Sequence, residues 1–196
     1  MSGRTTVTKV AIGKQTILPS IKEIWPKEPE FSDWLSSEPG VELLAQDLGI
    51  EIENARREAK GANFPCDIVG NLVGDEKHII VIENQFGRTN HDHLAKLLTY
   101  AAAHNAMTGI WIAEEASDDH RQVIDWLNEN TPDNISLYLV EVKAYTIGTS
   151  DPAPRLDAVC RPNVPFTVSR PRLIVPPVRR GEGNGERTSG LPFMTE

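Results

Sequence analysis

Phe64-Pro65-Cys66-Asp67-Ile68-Val69-Gly70, followed by His78-Ile79-Ile80-Val81-Ile82-Glu83-Asn84-Gln85, is the stretch that decides the fold of this chain. Residues 79–82 are apolar at every position and mostly β-branched, which predicts a central strand buried on both faces. The strand's far end nevertheless carries Glu83 and Gln85 on one side and Asn84 on the other, by the two-residue period of a strand. A buried carboxylate is costly unless it is paired or binds a cation. With strands over 64–73 and 77–84 joined at Gly74-Asp75-Glu76 as a hairpin, Asp67 becomes the neighbour of Glu83. Two carboxylates then converge on one spot.

Downstream, Leu94, Leu97, Leu98, Ala101 and Ala102 give residues 91–103 the stripe of a core-facing helix, with Thr89 and Asp92 as its capping arrangement. A buried strand is expected over 108–113, a helix from Asp118 to Asn130 capped by Ser117, and a last long strand ending at Gly148. Upstream, residues 5–12 alternate weakly as an edge strand, and Trp25, Phe31 and Trp34 read as core anchors. Ser32 is the expected cap of a short helix starting near Asp33, and a second helix runs from Pro39 to a left-handed cap at Gly49. Residues 50–59 read as one more strand. Helices and strands in this order predict an α/β domain with a mixed sheet and helices on both faces. After Gly148 prolines and glycines interrupt the pattern, so the folded domain is expected over 1–165 and a flexible, basic, disordered Pro/Gly-rich tail over 166–196.

A chain of 196 residues suits one full-sized core plus appendages. No apolar run approaches bilayer length and the N-terminus has no signal-peptide h-region, so a cytoplasmic protein with no membrane partner is expected. Cys66 and Cys160 are too few for a disulfide framework and lack zinc-site spacing. The net charge of −8 divides into −11 over residues 1–160 and +3 beyond. The acidic body argues against non-specific capture of nucleic acid through many phosphate contacts. Arg88, in a Gly-Arg-Thr turn, and His91 and His93, which flank Asp92 on different helix faces, are candidate phosphate contacts; the histidine spacing does not suit zinc.

Ile24-Trp25-Pro26-Lys27-Glu28, Phe31-Ser32-Asp33-Trp34-Leu35, the run from Val81 to Leu94, Leu97-Leu98-Thr99-Tyr100-Ala101-Ala102 and the stretch from Trp111 to Glu129 resemble one group of sequences. It is a branch of largely uncharacterised bacterial and archaeal proteins within the PD-(D/E)xK nuclease-like superfamily, with Glu-Asn-Gln in place of (D/E)xK. The resemblance spans about residues 20–165. It implies a restriction-endonuclease-like fold in which Asp67 and Glu83 hold Mg²⁺ or Mn²⁺, with Glu42 as a third acid from a helix. Gln85 then stands in the place of the catalytic lysine, where it can hydrogen-bond a water but carries no charge. RecB-type members have Gln-x-x-x-Tyr on the following helix, and this chain has Lys96 and Tyr100 there, as though glutamine and lysine had traded places. The function implied is metal-dependent phosphodiester hydrolysis of DNA or RNA, with defence against foreign nucleic acid as an analogy. The alternative is a catalytically inactive module of the same fold that binds nucleic acid or a protein partner, or acts as a homodimer.

Overall fold

The structure, a computed structural model, describes residues 12–57 and 66–162, all within the first of the two units into which the chain divides, Met1–Pro165. The expected tail over 166–196 lies outside the described residues, as do positions 5–11 of the expected N-terminal strand. Among the described residues, the elements in chain order are β1 (Gln15–Ile17), a 3-10 turn (Ile21–Glu23), α1 (Glu28–Leu35), α2 (Glu38–Leu48), β2 (Ile52–Arg56), β3 (Ile68–Leu72) and β4 (Asp75–Asn84). They continue with α3 (His91–His104), β5 (Thr108–Ala113), α4 (Asp118–Asn130), β6 (Ser136–Ile147) and β7 (Ala153–Cys160). No helix among them is long and apolar enough to cross a membrane.

The seven strands form one mixed sheet. β2, β3 and β4 make an antiparallel meander, β4, β5 and β6 run parallel, and β1 and β7 both lie antiparallel to β6. Parallel neighbours require crossovers, and α3 and α4 supply two in succession. Right-handed crossovers put both helices on one face. Leu97 of α3 and Ile124 of α4 accordingly share a buried cluster with Val81, Trp111, Leu137 and Leu139. On the opposite face Asn84 donates its Nδ2 hydrogen to Ser32 Oγ at 3.2 Å, which pins α1 beneath the end of β4. β5 is buried along its whole length, as a strand covered on both faces must be.

The hairpin register decides the site. Ile68 pairs with Ile82 and Val69 with Val81, so the antiparallel count sets Asp67 opposite Glu83. The turn is tighter than the sequence suggests, with Gly74 at φ 80° and β4 already under way at Asp75. Gly49 takes the left-handed conformation that ends α2, φ 72°.

Three elements differ from the sequence reading. α1 begins at Glu28 with Pro29 in its first turn, and Ser32 sits mid-helix, bonding back to the Glu28 carbonyl at 3.0 Å. Asn90 rather than Thr89 caps α3, its Oδ1 accepting from the His93 N–H at 3.1 Å. Only Leu97 of the expected α3 stripe is fully buried, with Leu94 and Ala101 partly so, while Leu98 and Ala102 are exposed. β7 follows the expected last strand, with Pro154 paired to Ala144, as an edge strand tolerates.

α1 and α2 meet at Gly40, where an added Cβ would lie 2.4 Å from the Leu35 Cα and the Trp34 carbonyl oxygen. Backbone cannot yield there as a side chain could. Gly40→Ala is therefore expected to cost about 1–3 kcal/mol of stability, read as a lower midpoint in urea with an unchanged slope. An unchanged midpoint would mean the two helices can part freely.

A candidate acid site at the strand ends

Asp67 lies just before β3, largely buried, and its Oδ2 accepts the Asn84 backbone N–H at 2.8 Å. Burial pushes its carboxyl up to about 6 from the ordinary 3.8; Glu83 and Glu28 add to the rise, while the Asn84 N–H and His93 oppose it. A carboxylate facing two others in a partly dry setting is held in its charged form at a cost. The Asn84 N–H and His93 offset only part of that cost.

Glu83, only 3 % exposed, projects from β4 toward α3. Its Oε1 accepts from His93 Nδ1 at 2.8 Å, and Lys96 Nζ lies 3.8 Å from the same oxygen. His93 and Lys96 are three apart on α3, hence on one face, which is why one helix brings both to one carboxylate. Among the described residues, no hydrogen bond reaches Asp67 Oδ1 or Glu83 Oε2. Tyr100, one turn beyond Lys96, is partly buried against the core cluster.

Gln85 is elsewhere. Its Oε1 accepts from Trp111 Nε1 at 2.9 Å, its Nε2 donates to the Arg88 carbonyl at 2.6 Å, and the residue is 2 % exposed. Both ends of the amide are occupied inside the protein, so it anchors the loop after β4 rather than presenting itself to a water at the acids. Gln85→Leu is expected to lower stability by about 2–3 kcal/mol by stranding the Trp111 N–H and the Arg88 carbonyl, measured by denaturant unfolding. A loss below about 0.5 kcal/mol would contradict the anchoring role.

Glu42 does not reach the site. It is exposed on α2 and makes no hydrogen bond or ion pair among the described residues. Glu28 is the helix acid near the pair: it lies close enough to raise Asp67, and its Oε1 accepts the Phe86 N–H at 2.8 Å. Sequence reasoning missed it because both acids sit on N-terminal helices, and only the docking of α1 through Ser32 and Asn84 separates them. Pro29, a marker of a helix's first turn, was the available signal that α1 starts at Glu28.

The loop from Phe86 to Asn90 is held throughout. Gly87 N–H donates to Glu114 Oε2 at 2.6 Å, and Glu114 Oε1 takes Ser20 Oγ at 2.6 Å and Ile21 N–H at 2.8 Å. Arg88 is largely exposed, 3.5 Å from the Glu115 carboxylate. His91 is exposed and hydrogen-bonds His120, and His93 is turned inward to Glu83. The three candidate phosphate contacts therefore divide into two on the rim and one at the acids. His120 was not singled out from the sequence, and its neighbours Thr89 and Ser117 were read there only as helix caps.

Cys66 and Cys160 are both buried, and burial together with Asp125 pushes the Cys160 thiol up to about 12. Cys160 is therefore no nucleophile at neutral pH. Among the described residues, no group of three or more His, Cys, Asp or Glu side chains is arranged to hold a metal ion. A hard cation such as Mg²⁺ needs fewer, one or two carboxylates with waters and substrate phosphate completing its octahedron. Asp67 and Glu83 meet that number, each with one oxygen outside the hydrogen bonds above. Compared with known proteins, the chain matches no family model, no curated protein and no solved structure.

Proposed function

We propose that this protein is a metal-dependent nuclease that hydrolyses phosphodiester bonds of DNA or RNA. The observation that carries the reading is the meeting of Asp67 and Glu83 across the β3–β4 register, with the carboxyl of Asp67 pushed up to about 6 by burial and by its acidic neighbours. A fold that needed only internal balance would not set a second buried carboxylate beside the first. Such a pair is the donor set for Mg²⁺ or Mn²⁺.

Asp67 and Glu83 would hold the ion, which when bound supplies a Lewis acid for the scissile phosphate and a water of lowered pKa. His93 holds the Glu83 carboxylate by donating its Nδ1 hydrogen. Lys96, half exposed beside Glu83, brings the positive charge that Gln85 lacks and reaches the site from the helix. It faces charge developing on the substrate phosphate. Arg88 and His91 stand on the rim as phosphate contacts. Defence against foreign nucleic acid stays an analogy of the resemblance.

The second reading is a silent module of this fold that binds nucleic acid or a protein partner. Its support is the enclosed Gln85: the strand position that would carry lysine is spent on Trp111 and the Arg88 carbonyl. The test is incubation of single- and double-stranded DNA and RNA with folded protein and Mg²⁺, Mn²⁺ or chelator. Cutting that needs the metal supports the nuclease; no cutting of any substrate moves the assignment to the silent module.

A further inference from the structure

Beneath the rim lies a closed set of hydrogen bonds that the acid pair does not use. Thr89 Oγ1 accepts the Ser117 N–H at 2.9 Å and lies 3.2 Å from Ser117 Oγ. His120 Nδ1 faces both hydroxyls, 2.7 Å from Ser117 Oγ and 2.8 Å from Thr89 Oγ1, and its Nε2 meets His91 Nδ1 at 2.9 Å. His120, Ser117 and Thr89 are all buried, and the Trp111 ring crosses His120 edge-on at 5.0 Å.

The arrangement admits one tautomer with every proton placed. With His120 Nδ1 bare, the Ser117 hydroxyl donates to it and the Thr89 hydroxyl donates to Ser117 Oγ. With Nδ1 protonated, three protons share two oxygens, and one hydroxyl has no acceptor among the described residues. His120 therefore carries its proton on Nε2 and donates it to His91 Nδ1. Burial, with His91 and Arg88 adding and Asp119 opposing, lowers the pKa of His120 and keeps it neutral. Neutral His91 then has its own proton on Nε2, the exposed side. His93, two residues on, is set the other way, with its Nδ1 hydrogen on Glu83. One helix turn presents two histidines in opposite tautomers.

We propose that His120 is a positioning residue that fixes His91 as a neutral Nε2–H donor on the rim, where it takes a non-bridging oxygen of the substrate phosphodiester. The role of His91 toward substrate rests on the nuclease reading; the tautomer does not. A neutral donor orients a phosphate oxygen without adding charge, and leaves the charged contacts to Arg88 and Lys96. Arg88, three residues before His91 and exposed like it, stands on the loop that leads into α3.

Long-range proton–nitrogen spectra of the full chain at pH 8 decide the first half. The wild type is expected to show His91 as the Nε2–H form and His93 as the Nδ1–H form. His120→Phe is expected to release His91 to a mixture, with His93 unchanged. A wild-type His91 protonated on Nδ1, or a tautomer indifferent to His120→Phe, overturns the proposal. Steady-state cleavage decides the second half. His91→Leu is expected to raise KM about tenfold with kcat little changed, the loss of one hydrogen bond to a charged group. His91→Gln, which can place an amide donor near the same point, is expected to restore most of it. An unaltered KM in His91→Leu removes the substrate contact while the nuclease stands. A wild type that cuts nothing removes the nuclease reading and this contact with it, and the spectra still judge the tautomer.

Discussion

Glu83→Ala is expected to lower metal-dependent cleavage by about 10³-fold, since a lost ligand forfeits several kcal/mol of charge stabilisation in the transition state. Lys96→Ala is expected to cost less, about 10- to 100-fold, because it removes a half-exposed cation and leaves both carboxylates in place. The ordering carries the argument. If Glu83 served only to balance His93 and Lys96, the two variants would change stability and leave any cleavage alone. Glu83→Ala also removes the second-largest cause of the raised Asp67 carboxyl, after burial itself. Asp67 is therefore expected to titrate lower in the metal-free variant than in the wild type, followed through its side-chain carbon shift. A cleavage rate unaffected by Glu83→Ala would end the acid-pair account.

Asp67→Asn is expected to make the metal-free protein more stable at pH 8, by up to about 3 kcal/mol, the equivalent of moving one carboxyl from 3.8 to about 6. Asparagine keeps an oxygen for the Asn84 N–H and removes the buried charge. The dependence on pH has a fixed sign. Below 3.8 the carboxyl is protonated in folded and unfolded chains alike and contributes nothing. From there up to about 6 the folded protein keeps a proton that the unfolded chain has released, so wild-type stability falls as pH rises. Above 6 the cost is constant. Unfolding in urea at pH 4 and pH 8 checks this: the variant's advantage should open between the two. An aspartate that loses stability on this change at pH 8 would be a structural ion-pair member. The expected trade, higher stability and no activity, is that of a functional site.

How much of this was legible from the sequence depended on whether the deciding contacts are local. β5 and α4 were readable to the residue, because a continuous apolar run and a Ser117 cap are local signals, and Gly49 ended α2 for the same reason. The juxtaposition of Asp67 and Glu83 followed from one short hairpin, whose register is local too. Gln85 was not legible, since its partner Trp111 lies 26 positions away across the parallel ladder. Neither was the choice of Glu28 over Glu42, which depends on how α1 docks beneath β4. β7 was hidden by Pro154 within it and Pro152 and Pro162 beside it; an edge strand accepts such a proline and a central strand would not. Leu98 and Ala102 were assigned inward because alanine and leucine fit either face of an amphipathic helix, and α3 buries a narrower stripe than its sequence offers.

Calorimetric titration of Mn²⁺ into the folded protein at pH 8, with Asp67→Asn and Glu83→Ala beside it, tests the central claim most directly. One bound ion per chain in the wild type and none in either variant is the predicted result. Binding should also weaken about tenfold for each pH unit below the Asp67 carboxyl, as protons compete for it. Equal binding by all three proteins, or none by the folded wild type, would contradict the assignment of Asp67 and Glu83 as the metal-holding pair.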